Sequence, residues 1–271
     1  MIDLREVNRD QFERAKKYLA VAMCGKIAAL GLGSWGVFMG PASVYLPQVV
    51  LLFAVGAAVV EVFSEQLKAR AEKVLRTLDI CRSLGRTISK AEMRDIVSAV
   101  PRATRARFTT EEVSDDYFAS TAPLGPRKAV EHLQESAWYT KKQTGVLAAI
   151  YTVVIVVLLG LSVIALIVSM RELSAPEAQE DVVRIVTAGL MLIVTLDMIR
   201  GAWAYFDLHR RAGKTEEACE HLLTGKITEE DALREWCEYH VARSSAPLLP
   251  GWLWRTMGPS LVDAWRRADE A

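Results

Sequence analysis

The sequence predicts an all-α membrane protein, with four transmembrane helices arranged as two hairpins and a helical cytoplasmic region. Three observations lead there. Four apolar runs interrupt a chain with 33 basic and 33 acidic residues in all. Lys and Arg gather on one side of those runs. No stretch alternates apolar and polar residues as a half-buried strand would. The opposite charges cancel, so net charge points to no class of partner. No basic tract suited to a nucleic acid polymer occurs.

The runs differ in purity. Tyr18–Met39 carries one charge, Lys26, and Pro47–Phe63 carries one, Glu61. Val182–Tyr205 carries Arg184, Asp197 and Arg200, whereas Val146–Met170 carries none. A bilayer core needs ~20 apolar helical residues, a length the uncharged run exceeds. The loop at 40–46 has no Lys or Arg, and the loop at 171–181 sets Arg171 against Glu172, Glu177, Glu180 and Asp181. Arg5, Arg9, Arg14, Lys16 and Lys17 precede the first hairpin, and Lys141 and Lys142 precede the second. Cytoplasmic loops carry the excess of Lys and Arg, so both termini face the cytoplasm. The expected division is an N-terminal helix (1–17), a first hairpin (18–63), a cytoplasmic helical region (64–142), a second hairpin (143–205) and a helical tail (206–271). Cys24, Cys81, Cys219 and Cys237 are then expected as free thiols in a reducing compartment.

The cytoplasmic elements follow in order. Leu67, Ala71, Val74, Leu78 and Cys81 continue the second run as a heptad-like seam, expected to pack on a neighbouring helix. Ser89 and Glu92 fit a capping box, with Ile88 and Met93 as the hydrophobic staple around it, and Pro101 ends that helix. Residues 102–125 read as irregular, except near Glu111–Tyr117. Pro126 opens a helix that runs through KAVEHLQESAWYT into the third apolar run. In the tail, helices are expected near 215–224 and 229–242, the second capped by Thr228. SAPLLPGWLW, with two prolines and a glycine, reads as non-helical, and a last helix carries Leu261, Val262 and Trp265. Tyr45, Trp138, Tyr139, Trp203 and Tyr205 sit where interfacial aromatic belts do. Trp252, Trp254 and Trp265 lie far from any run and are read as packing against the cytoplasmic helices or making shallow membrane contact.

Gly31, Gly33 and Gly36 spell G-x-G-x-x-G, the spacing of a dinucleotide-binding loop. That loop needs a strand before it and an acid about 20 residues later; here it lies in an apolar helical run, and residues 50–60 are apolar. On a helix, Gly25, Ala29, Gly33, Gly36 and Gly40 form one face, and small-residue faces let membrane helices approach closely. The contact is either within the bundle or between protomers.

Ionisable groups within a bilayer are costly and point to function. Lys26 and Asp197 each lie eight residues in from the cytoplasmic end of their run, so ~12 Å deep at 1.5 Å per residue. Matched depth suggests an ion pair, with Arg200 competing for the same carboxylate three residues on. The three residues are read either as a bundle-internal charge pair or as a gate on a water-filled path. Cys219, His221, Cys237 and His240 do not match a common zinc spacing. His132, Glu135 and Ser136 lie close in sequence, but no nucleophile elbow, P-loop or HExxH accompanies them. No enzyme activity, metal or cofactor is expected.

Two stretches carry a family resemblance. Tyr117–Thr140, YFASTAPLGPRKAVEHLQESAWYT, places Glu135, Ser136 and Trp138 just before the third apolar run. Ala246–Arg267, APLLPGWLWRTMGPSLVDAWRR, contains Pro247, Pro250, Trp252, Trp254 and Trp265. With the four-run layout they resemble the bacterial S-4TM family, described as pore-forming effectors associated with nucleotide-second-messenger synthetases in anti-phage conflict systems. This chain has Pro-Gly-Trp where an acidic residue is expected after the proline. The resemblance implies a multi-pass protein of the bacterial inner membrane and a homo-oligomer in the lipid bilayer. It also implies a cyclic oligonucleotide ligand or an associated nucleotidyltransferase. The chain itself has no glycine loop for a nucleotide, and the basic residues in Arg102–Arg107 are read as an ordinary solvated loop in preference to a ligand-binding surface. A constitutive ion channel or transporter, and a membrane-anchored scaffold, are the rival readings.

Overall fold

The computed structural model describes residues 4–39, 45–98, 100, 118–172, 182, 186, 187, 189–191 and 193–269. Every element among them is a helix: α1 Leu4–Met39, α2 Leu46–Leu84, α3 Lys90–Ser98, α4 Pro126–Glu172, α5 Met198–Leu223, α6 Glu229–Ser245 and α7 Gly251–Asp269. The chain divides into two compact units. Unit 1 comprises Met1–Lys16, Glu65–Gly145 and Tyr205–Ala271; unit 2 comprises Lys17–Ser64 and Val146–Ala204. The boundaries fall inside α1, α2, α4 and α5, so no linker intervenes.

Unit 2 carries the apolar runs. Among the described residues, two helices are long and apolar enough to cross a membrane: Leu46–Leu84, with mean hydropathy 2.1, and Pro126–Ala165, with 2.8. A third span results if Gly189–Thr195 and α5, bent by 49° at a short break, are one helix. Only 6% and 17% of the first two apolar windows is buried. Leu51, Leu52, Val153 and Val156 are exposed. In water such a contiguous apolar surface is unfavourable and rare; against hydrocarbon it is the expected surface. The break before α5 is at Asp197, whose φ of 54° lies in the left-handed region, where Asp is among the few tolerated non-glycine residues.

Unit 1 is packed by small residues. Ala129, Ala137, Ala212 and Ala232 let α4, α5 and α6 close on Val130, Leu133 and Tyr239. A second cluster joins Leu4 of α1, Val74 of α2 and Ile96 of α3. Ile88 and Met93 pack against it, the two positions of the expected staple. Local signals set the ends. Gly85, at φ 70°, terminates α2 and donates its N–H to the Cys81 carbonyl, a left-handed C-terminal stop. Ser89 caps α3 by accepting from Glu92 N at 3.1 Å. The Glu92 carboxylate accepts from the Thr77 hydroxyl, so it binds α2 as well as opening α3. Thr228 caps α6 through Asp231 N.

Two tail expectations change. The helix expected at 215–224 is the end of the longer α5, because the apolar run before it continues the same helical path. The GWLW residues are helical, since α7 begins at Gly251; Pro250 precedes the first turn, where a proline breaks no helical hydrogen bond. Pro259 lies inside α7.

Candidate functional site

In unit 2, α1 and α2 approach closely at Gly25. A Cβ there would lie 3.0 Å from the Ala57 Cβ. This contact fixes what Lys26 meets. Glu61 lies one turn beyond Ala57 on α2, and Lys26 follows Gly25 on α1. Lys26 Nζ stands 2.9 Å from Glu61 Oε2, the two side chains 16% and 30% exposed. The expected Lys26–Asp197 pair is therefore replaced by Lys26–Glu61. Asp197 is instead bridged to Arg200 at 3.3 Å, with both side chains exposed. Equal depth from the ends of the runs did not decide the pairing; the nearer carboxylate on the helix already in contact did. The signal was available in the Ala57/Glu61 spacing, which sets both on one face of α2.

The small-residue face is only partly a contact. Gly25 meets α2 and Ala29 is buried. A Cβ at Gly33 would have no neighbour within 4 Å. Gly36 belongs to α1, with no contacts described, and Gly40 lies outside the described residues.

Unit 1 holds a buried polar cluster where α2, α4 and α6 meet. His240 Nε2 lies 3.6 Å from Asp79 Oδ2, and the Trp236 ring packs on His240 at 4.2 Å. Across the cluster, His132 stacks on Phe118 at 4.0 Å. Burial pushes the Asp79 carboxyl up to about 7, against the Arg243 guanidinium and aided by Glu72. Burial, then Arg243 and Arg76, pushes His240 down to about 3. Near neutrality the imidazole is uncharged and any proton of the pair is on Asp79. Tyr239 donates to the Ser136 carbonyl at 3.1 Å and accepts from the Thr140 hydroxyl at 2.7 Å. The cavity they enclose is ≈ 10 Å³, about the room one water needs and too small for a nucleotide.

Long polar side chains also tie segments of unit 1 that are distant in sequence. Lys68 on α2 donates to the Ser244 carbonyl at 2.8 Å and to that of Ala246, placing a cation at the C-terminus of α6 as the helix dipole favours. Tyr205 donates to the Leu248 carbonyl at 3.0 Å. Lys141 pairs with Glu216 at 2.9 Å. The His209 ring lies over Gly145, where a Cβ would be 2.9 Å from Nδ1, and Nδ1 bonds the Lys141 carbonyl. None of these contacts was foreseen, since each joins residues far apart in sequence through a lone polar atom.

The two motif-bearing stretches meet. Trp138 packs on Trp265 with centroids 5.4 Å apart, and Tyr139 meets Trp254 edge-on at 5.8 Å. Glu135 is buried and accepts from Ala119 N at 2.9 Å; the Ser136 contribution is its backbone carbonyl. The Pro250 carbonyl accepts from Leu253 N, while Pro247 and Trp252 are exposed. Tyr117 and Arg102–Arg107 lie outside the described residues. Of the residues weighed for zinc, Cys219 is buried in the core, Cys237 is exposed and His240 is on Asp79. Burial pushes the Cys219 thiol up to about 12, aided by Glu235 and Glu216, so it is unreactive. No family model, no curated protein and no solved structure matches the chain.

Proposed function

We propose that this chain is a regulated membrane-permeabilising effector of the S-4TM kind, with four spans in the bacterial inner membrane and both termini in the cytoplasm. Unit 1 is the sensing part and unit 2 the permeating part. The observation that carries the reading is the continuity of α1, α2, α4 and α5. Each begins or ends among the hydrogen-bonded side chains of unit 1 and belongs also to the apolar unit 2. A ligand or partner that binds one arrangement of unit 1 better than another shifts the population of both. The packing of Trp138 and Tyr139 on Trp265 and Trp254 adds support, since the stretches that carry the resemblance form one aromatic cluster.

In the resting state the Lys26–Glu61 pair joins α1 to α2 and neutralises both charges. Activation separates the helices and hydrates the pair, opening a path for ions. A cyclic oligonucleotide from an associated nucleotidyltransferase is the proposed trigger. Assembly as a homo-oligomer supplies the walls that four helices alone do not enclose.

The test is dye release from liposomes containing the purified chain. Release on addition of a cyclic oligonucleotide, and none before it, is expected. Release without any addition favours a constitutive channel. No release under a panel of cyclic di-, tri- and tetranucleotides, with intact protein in the bilayer, contradicts the reading and favours a scaffold.

A further inference from the structure

The segment between α6 and α7 is hydrogen-bonded to two residues near the points where helices leave unit 1, and its end passes a third. Lys68, four residues after Ser64, the last residue of unit 2 on α2, binds the carbonyls of Ser244 and Ala246. Tyr205 binds the Leu248 carbonyl and is itself the first unit 1 residue of α5. Lys16, the last unit 1 residue of α1, passes Gly251, where a Cβ would lie 3.7 Å from Nζ. Residues that adjoin three apolar runs in sequence thus converge on Ser244–Gly251.

What this segment turns outward is amphipathic. Leu248 and Leu253 are buried, whereas Trp252 is 48% and Trp254 41% exposed. Phe206, beside Tyr205, is 51% exposed. Arg255 and Lys142 are exposed and form no ion pair among the described residues; Lys142 lies over the Trp138 ring at 5.6 Å. Exposed indoles beside residues that adjoin apolar runs, flanked by cations without ion-pair partners, are the chemistry of the headgroup layer. Indoles favour that layer because they are apolar with one polar N–H. Cations there are attracted by anionic lipid.

We infer that Ala246–Arg255 is a membrane-surface belt that docks on anionic phospholipid headgroups, with Trp252 and Trp254 inserted among them and Arg255 and Lys142 on their phosphates. The belt rests on the membrane reading of unit 2 and adds a lipid contact made by the tail. It also connects lipid composition to unit 1, since the same backbone carries the Lys68 and Tyr205 bonds.

The test uses a spin label on the full chain in lipid nanodiscs. The label is introduced by Trp252→Cys after the exposed Cys24 and Cys237 are replaced by Ala. Expected is a label more accessible to oxygen than to a water-soluble nickel complex. It moves deeper as phosphatidylglycerol is mixed into phosphatidylcholine. Arg255→Gln or Lys142→Gln raises the amount of phosphatidylglycerol required roughly fivefold each. A label as nickel-accessible as one at the exposed Lys226 overturns the belt. A label shielded from both reagents means that protein covers the face, which also overturns it. A lipid-embedded label whose depth ignores lipid charge overturns the anionic headgroup as the partner. A label at Val156 separates this inference from its foundation: if that position too is open to nickel, the spans are wrong, and if it is in lipid, only the belt is.

Discussion

At Glu61 a single carboxylate decides what a membrane lysine does. Removing one member of a buried pair leaves an uncompensated charge, at roughly 3–5 kcal/mol when fully buried. The partial exposure of Lys26 and Glu61 lowers that expectation. Glu61→Ala should destabilise the chain by about 2 kcal/mol, read as a lower unfolding midpoint in detergent or nanodiscs. Exchanging the charges, with Lys26→Glu and Glu61→Lys together, should restore most of it. Exchange between Lys26 and Asp197 should restore nothing. In unit 1, Asp79 and His240 make an unusual pH prediction. Unfolded, an ordinary Asp and His hold one proton between them from about pH 4 to about 6.5. Folded, the pair also holds one, on Asp79, because Asp79 releases it only near 7 and His240 gains a second only near 3. Equal proton counts give no slope of stability with pH in that window. Above it the folded pair alone keeps a proton, so its contribution falls as pH rises towards 7. Asp79→Asn leaves only the depressed His240, whose contribution is present above 6.5 and lost as pH falls towards 3. The variant should therefore lose stability on acidification from about 6.5 relative to the native chain, in thermal unfolding followed across pH. Parallel profiles would remove Asp79 from the cluster.

Helices in this chain are set by close approaches that a side chain would block. Gly25 faces Ala57 at contact distance, and Gly145 lies under the His209 ring. Gly25→Leu should push α1 from α2 and disturb the Lys26–Glu61 pair, at about 1–3 kcal/mol for overpacking. Gly33→Leu, with open space around it, should leave the unfolding midpoint of the single chain unchanged. A loss of oligomer in Gly33→Leu without a change in midpoint would assign that part of the stripe to an interface between copies. The caps are more ordinary. Thr228→Ala removes an acceptor for Asp231 N and should cost about 1 kcal/mol, measurable in the same unfolding experiment.

Over the whole molecule, what was legible in the sequence was whatever local chemistry specifies. The apolar runs, the continuation of α2 along Leu67, Ala71, Val74 and Leu78, the Ser89 and Thr228 caps, and Pro126 as the start of α4 all depend on neighbours within a turn or two. Asp79, His209 and Lys68 were not legible, because their partners lie 68 to 178 residues away and are chosen by which helix faces touch. Asp197 shows the same limit from the other side. Its charge and depth suggested a partner across the bundle, whereas its backbone places it at the break before α5, with Arg200 close enough to take the carboxylate. The functional account stands on the continuity of four helices between a polar assembly and an apolar one. Its most direct test is the membrane potential of bacteria expressing the chain, followed with a potential-sensitive dye, with and without a cyclic-oligonucleotide synthetase in the same cells. Depolarisation is expected only when both are present, and the same loss of potential without the synthetase in Lys26→Met. A steady potential in every combination, with the protein present in the inner membrane, would contradict it.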